Sequence, residues 1–448
     1  MALFRNKYIF LWSSVLIVAG FAVMQVLGST PGLVAVMLVF AAIIVLATVN
    51  DMAIPVLLFF LPWSPLMKLR PGTTSVYTLA IIAVLLMLLL KNVKRFSIGH
   101  VFPAALLFAL TVVVKTVTDA SMDASFILFF SCMLLFPLAA NERGKSYDFY
   151  MLVVFFAVGI ITSAISAQQL VIFPTISRYI IVIEYNQLTR LSGYYGDPNF
   201  YAAHITAAIA GCVVLFHNEI GIKKKIVLGV LFALLVYCGL LSVSKSFALI
   251  FVCILLLWVI EILFKKGRIS SKLTMILALA VGGIYILSSI VLTDLLDMMI
   301  DRFAGVGNIS DFTTRRSEFW VSYFRFFEEN PFILLFGKGY TDVLFNGRGS
   351  HNVLIQSVYQ FGLVGSAMLL VWLFQYMKNV LRGMRFKTGH TVQLLILLGG
   401  AIGPWLALDL LMFDEFFIIP YFVFLGMTYL YDVGQKDETD GMTEEVTQ

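Results

Sequence analysis

Charge is what this chain has least of. Lys, Arg, Asp and Glu make up 13% of its 448 residues, against 60% hydrophobic residues, whereas a soluble domain carries about 25% charge. Uninterrupted apolar runs of about 17–25 residues recur along its length, and no soluble core of this size needs them. The chain therefore reads as a polytopic helical membrane protein. Cysteine is equally sparse. Cys132, Cys212, Cys238 and Cys253 all lie within apolar runs and show no CxxC spacing, which fits buried thiols packing as small hydrophobes better than a disulfide framework or a metal site. No P-loop, dinucleotide fingerprint or metal-ligand cluster occurs in the sequence, so neither cofactor nor metal is expected and no nucleic acid is implied. No repeat relates the two halves, which weakens a secondary-transporter reading.

What is present is a succession of spans. Apolar windows run from 8–27 to 414–431, about fourteen in all, with 53–68 interrupted by Pro55 and Pro62; fusion of the short ones leaves about twelve. The first window follows Arg5 and Lys7, but it is long for a signal peptide and ends in a poor cleavage sequence, so it counts as a span. The clusters Lys91/Lys94/Arg95, Arg143/Lys145, Lys223/Lys224/Lys225, Lys265/Lys266/Arg268/Lys272 and Lys378/Arg382/Arg385/Lys387 all fall on one side, which the positive-inside tendency makes cytoplasmic, together with both termini. The expected architecture is all-α: one membrane domain over 1–431 with 12–14 transmembrane helices, a long extracytoplasmic loop over 294–351, and an acidic, disordered cytoplasmic tail over 432–448. Arg190, Lys245, Arg302, Arg315, Arg316 and Arg348 fall on the outer face. Positive charge there runs against the positive-inside tendency, which marks these residues as kept for a task.

Four outer stretches carry chemistry. In Arg190-LSGYYGDPNFYA, Asp197 before Pro198 is a good helix start; a capped helix with a snorkelling Arg190 is the plainer alternative. In the long outer loop, Ser310 or Asp311 can cap a helix that Pro331 stops, with Arg316, Trp320, Phe324 and Phe327 on one face. The pair Arg315/Arg316 favours an anion, because guanidinium forks match phosphate geometry, although an aromatic belt helix with snorkelling arginines remains open. In GRGSHNVLIQ, Ser350 can cap the next span and place His351 in its first turn, where the helix dipole disfavours imidazolium and leaves a neutral base. Lys245 stands in the brief turn SVSKS. Asp409, Asp414 and Glu415 are the acidic candidates near the same face, and Asp409 or Asp414 is the alternative to His351 as the base. Together these features suit a membrane-anchored polyanion, above all a lipid diphosphate.

The order and spacing resemble the O-antigen polymerase and O-antigen ligase family of bacterial envelope glycosyltransferases. Three motifs carry the resemblance over residues 180–375: Arg190-LSGYYGD-Pro198-Asn199; Thr314 to Trp320 followed by Asn330 to Gly339; and His351-Asn352 through Gly362 to Gly365. The resemblance implies a GT-C-like fold in the bacterial cytoplasmic (inner) membrane and a metal-independent, inverting glycosyltransferase. Its substrate would be an undecaprenyl-diphosphate-linked oligosaccharide, with a chain-length regulator and a flippase as possible partners besides the lipid bilayer. Arg190 and Arg316 would hold the diphosphate, and His351 would deprotonate the acceptor hydroxyl. Arg302, Arg315, Lys245, Asp197, Asn199 and Asn352 complete the expected substrate contacts. Many family members have Ser-Arg where this chain has Ser244-Lys245; lysine keeps the charge and loses the fork. The implied activity is polymerisation of repeat units. A ligase that transfers a finished glycan to lipid A core or another acceptor is the nearest alternative, and a flippase or exporter of lipid-linked sugars is a second.

Overall fold

The computed structural model describes residues 7–70, 73–91, 98–118, 122–140, 148–177, 184–185, 188–218, 221–264, 300, 303–304, 313, 315–341, 345, 349–383, 388–411 and 413–445. Within them the chain is helical except for a two-residue antiparallel hairpin, β1 (Glu184–Tyr185) with β2 (Leu188–Thr189). The helices are α1 (Lys7–Leu27), α2 (Thr30–Val49), α3 (Ala53–Phe60), α4 (Val76–Lys91), α5 (Ile98–Val117), α6 (Ala124–Ala140), α7 (Phe149–Leu170), the short α8 (Pro174–Ser177), α9 (Pro198–Asn218), α10 (Ile222–Leu241) and α11 (Lys245–Phe264). After these come α12 (Arg316–Glu329), α13 (Pro331–Phe336), α14 (Val353–Gly383), α15 (Thr388–Ile402) and α16 (Glu415–Glu445).

Nine of these described helices are long and apolar enough to cross a membrane, and four shorter apolar helices pack with them. The protein is a multi-pass membrane bundle. The expected span at 273–293 lies outside the described residues. Because lipid supplies no hydrogen-bond partners, each span must satisfy its own backbone. The serines and threonines inside these helices comply: Ser14, Thr48 and Thr111 each donate to a carbonyl four residues back. The interrupted window at 53–68 resolves into α3 and a 3₁₀ turn over Leu61–Leu66, where Pro62 ends the α-helical ladder. Every residue of α3 is buried, so it is an interior helix, packed chiefly against α7.

The long helix α14 is broken at Gly362, whose φ of 69° and ψ of −179° leave the helical region. The break frees carbonyls that a helix would otherwise use, and the loop after α13 takes them. Lys338 N donates to Tyr359 O at 2.9 Å and Gly339 N to Gln360 O at 2.9 Å, while the Gln360 side chain bonds the Thr341 backbone both ways. A Cβ at Gly362 would overlap the backbone of Leu335 and Phe336. Only glycine permits both the conformation and the approach.

The loop helix differs from the expectation in its start and in its buried face. Ser310 and Asp311, the expected caps of the loop helix, lie outside the described residues. The helix itself starts at Arg316, with Ser317 N donating to Thr313 Oγ1 at 3.2 Å. Its buried stripe is Tyr323 and Phe327, packed with Ile355 and Tyr359 of α14, whereas Phe324 is 54% exposed. Positions 316, 320, 323 and 327 follow the helical repeat more closely than 324, which falls at the edge of the face. The last helix, α16, continues to Glu445.

Candidate functional site

The loops expected on the outer face come together at one end of the bundle. Arg190 is buried, and its Nε donates to Ser242 O at 3.0 Å, while Leu191 N donates to Leu241 O at 2.9 Å. These bonds tie the first motif to the turn before α11. Asp197 caps α9 as its position before Pro198 predicts: its Oδ1 accepts from Asn199 N at 2.7 Å and from Asn199 Nδ2 at 3.0 Å. The other amide atom of Asn199, Oδ1, accepts from Ser244 Oγ at 2.7 Å. The turn that joins these pieces passes through Val243 at φ 46°, a conformation that a β-branched residue takes only when its surroundings impose it. Lys245 is the first residue of α11, and its Nζ lies 5.7 Å from the centre of the Phe303 ring.

His351 sits just before α14, not inside it. Asn352 is the cap: its Oδ1 accepts from Leu354 N at 2.9 Å and Ile355 N at 3.3 Å. Ser350, the expected cap, instead donates to Asp409 Oδ1 at 2.5 Å. The main chain of His351 is left-handed, φ 49°, and its N–H donates to Asp409 Oδ2 at 2.9 Å. A Cβ at Gly349 would overlap that same oxygen, so Gly349, Ser350 and His351 wrap the carboxylate closely. Asn352 Nδ2 reaches Leu406 O at 3.3 Å, and Gln356 Oε1 accepts from Leu411 N at 3.2 Å. The start of α14 is thereby pinned to the 406–411 segment on both sides of Asp409.

The second motif closes on the third. Trp320 Nε1 donates to Ser350 O at 2.8 Å, and Arg316, one turn earlier on α12, acts electrostatically on His351. Arg315 precedes the helix in a left-handed conformation, φ 62°. Of the five non-glycine residues with positive φ among those described, Val243, Arg315, Tyr340 and His351 stand in or beside these motifs. Strain concentrated in this way is a mark of functional sites. Arg302 and Arg348 lie outside the described residues.

The imidazole of His351 is held below its ordinary pKa, first by burial, with Asp409 pulling it back up, Arg316 pushing it down and Asp197 raising it. The low basicity expected from a helix dipole therefore arises mainly from desolvation. Because Asp197 contributes, the first and third motifs share one electrostatic neighbourhood. The N-termini of α9, α11 and α14 all open on this end, so three helices direct partial positive charge toward it. Among the described residues no group of three or more His, Cys, Asp or Glu is placed to hold a metal ion.

The sequence had marked Asp409 as an acid at a span end, and the structure makes it the residue around which the His351 loop folds. Asn199 and Asn352 were expected to touch substrate, yet both spend their amide groups on neighbouring protein atoms. Lys68, in the loop between α3 and α4, is a further basic residue near these segments, and the short polar loop that carries it is visible in the sequence. No protein-family model matches the chain, and a search of curated proteins finds no matching sequence.

Proposed function

We propose that the protein is an extracytoplasmic-face membrane glycosyltransferase that polymerises lipid-diphosphate-linked oligosaccharide repeat units. One observation carries the reading: Arg190, Lys245 and Arg316 gather at the bundle end where Asp409 holds a low-basicity His351. Guanidinium groups and three helix N-termini suit a diphosphate, and a histidine kept neutral suits removal of a proton from a sugar hydroxyl. In the proposed step the acceptor oxygen attacks the anomeric carbon opposite the diphosphate. The bond from that carbon to the diphosphate oxygen breaks, and the electron pair leaves with the lipid diphosphate. The hydroxyl proton passes to His351 Nε2, since Nδ1 stands on the Asp409 side, 3.9 Å from Oδ2. The cations stabilise charge as it develops on the leaving group.

The test is transfer by purified protein from a short lipid-diphosphate oligosaccharide, with wild type beside His351→Ala and Arg316→Ala. A ladder of products from wild type, lost in both variants, is the expected outcome. A single addition to a different acceptor makes the enzyme a ligase. Undiminished transfer by both variants excludes the site, and normal translocation of lipid-linked sugar without any transfer favours the exporter.

A further inference from the structure

A cavity of about 510 Å³ is lined by residues that follow, in sequence, two segments of the candidate site. Tyr194 and Tyr195, which follow Arg190 in the first motif, form one wall; Phe413, Asp414 and Glu415, which follow Asp409, form another. A third wall is the loop after the 3₁₀ turn, carrying Lys68, and that loop is firmly held. Gln25, buried on α1, donates to Leu66 O at 3.2 Å and Lys68 O at 2.8 Å, and Ser75 Oγ donates to Ser64 O at 2.7 Å. The cavity is thus a built recess of ligand size, within the roughly 300–1,000 Å³ usual for small-molecule sites.

Its chemistry differs from that of the cationic end. Among the described residues that line the cavity, Lys68 is the one cation beside Asp414 and Glu415, and Glu415 is further paired with buried His204 at 3.0 Å. A diphosphate would be repelled here, whereas a neutral or amine-bearing ligand would not. Hydroxyl groups line the cavity from Ser64, Ser75, Thr78 and Tyr195, and Thr78 Oγ1 donates to Asp414 Oδ2 at 3.0 Å. Tyr340 and Phe413 bring aromatic rings to the same lining, and Phe413 is exposed. Tyr340 is held at φ 56° directly after the Gly337-Lys338-Gly339 loop that packs on the α14 break, and its buried ring lies against Phe129 and Phe361, so the second motif shapes the cavity wall. An exposed ring, Phe413, in one lining with hydroxyls and a carboxylate matches a saccharide, which has an apolar face and a polar rim. Burial and the neighbouring Glu415 push the Asp414 carboxyl up to about 7, against Thr78 and Lys68, so near neutral pH it can both accept and donate hydrogen bonds.

We propose that this cavity binds the acceptor glycan, taking a neutral or amine-bearing sugar through Asp414, Thr78 and Ser64 with a sugar face laid on Phe413. The assignment rests on the glycosyltransferase reading and assigns neighbouring parts of the same segments to the two substrates: the diphosphate to Arg190 and Arg316, the acceptor sugar to Asp414.

The test is calorimetric titration of the full-length protein in lipid nanodiscs with two probes. One is the oligosaccharide of a single repeat unit, released from its lipid, from cells that carry the protein; the other is undecaprenyl diphosphate. Asp414→Asn is nearly isosteric, and Ser125→Trp places bulk at an exposed position on the cavity rim. Both are expected to weaken oligosaccharide binding by about tenfold or more, the scale of one lost hydrogen bond to a charged group, and to leave undecaprenyl diphosphate binding unchanged. Arg190→Gln is expected to do the reverse. Oligosaccharide binding unchanged in both cavity variants overturns the assignment. Loss of both probes in either cavity variant also overturns it, because the two regions would then be one site. Failure of the glycosyltransferase reading is registered separately, by absence of transfer product from wild type that binds both probes.

Discussion

His351 is held from two directions by one carboxylate: its main-chain N–H donates to Asp409 Oδ2 at 2.9 Å, and its ring Nδ1 stands 3.9 Å from the same oxygen. A non-glycine residue in left-handed conformation costs about 1–2 kcal/mol, so the His351 loop keeps its shape only while something over-determines it. The two bonds to Asp409, from Ser350 Oγ and His351 N, meet that need. Asp409→Ala is therefore expected to slow glycan transfer roughly 100-fold, within the range attributed to a positioned general base. Initial rates with the lipid-diphosphate donor provide the check. The double variant with His351→Ala should be no slower than His351→Ala alone, since residues acting as a unit are not additive. Additive losses would place Asp409 outside the His351 unit.

The pH profile follows from the same surroundings. Burial disfavours the imidazolium, so the folded-state pKa lies below the ordinary 6.5 and the neutral base already predominates at pH 7. For wild type, kcat/KM is expected to rise as pH climbs toward 6.5 and to stay flat above it. Arg316 pushes the His351 pKa down and Asp409 pulls it up. Arg316→Gln should then move the acid limb to higher pH, and Asp409→Asn should move it to lower pH. An acid limb that stays in place in both variants would show that another group titrates.

Arg190 tests the anion side. Its Nε is committed to Ser242 O, which fixes the guanidinium plane in a buried position. Lysine has one point charge and no fork, and it cannot make that bond from the same place. Arg190→Lys is expected to weaken undecaprenyl diphosphate binding about tenfold or more, the order of one charge-assisted hydrogen bond. Lys245→Arg should do the opposite or nothing, because it restores a fork at a helix start already open to the site. Titration of both variants with undecaprenyl diphosphate decides; a stronger loss in Lys245→Arg than in Arg190→Lys would reverse the roles.

The helical spans and the residues of the three motifs were legible because both depend on local sequence: hydropathy over about twenty residues, or residue types at short spacing. What joins them was not. Asp409 reaches His351 across 58 positions, Trp320 reaches Ser350 across 30, and Thr78 reaches Asp414 across 336; no periodicity records such contacts. Capping shows the same limit on a smaller scale. Ser350 and Asn352 are both good caps by type, and the choice fell to Asn352 because Asp409 occupies Ser350. The glycines of the second and third motifs were visible as spacing, while their reason, backbone packed against backbone at the α14 break, is tertiary.

That break gives a stability prediction independent of any substrate. At Gly362 the backbone has φ 69°, and an added Cβ would meet Leu335 and Phe336 backbone, which cannot swing aside as a flexible side chain can. Gly362→Ala thus combines left-handed strain with overpacking, on the order of 3 kcal/mol together. A relaxed alternative would straighten α14, but straightening would withdraw Tyr359 O and Gln360 O from Lys338, Gly339 and Tyr340 and release the Tyr340 ring from its place. The expected result is a Tm several degrees lower in detergent, accompanied by weaker saccharide binding, with undecaprenyl diphosphate binding kept below the transition. Gly229→Ala is the matched control: a Cβ there meets nothing within 4 Å, and alanine favours the helix. If the two variants melt together, the break is not held by the packing described.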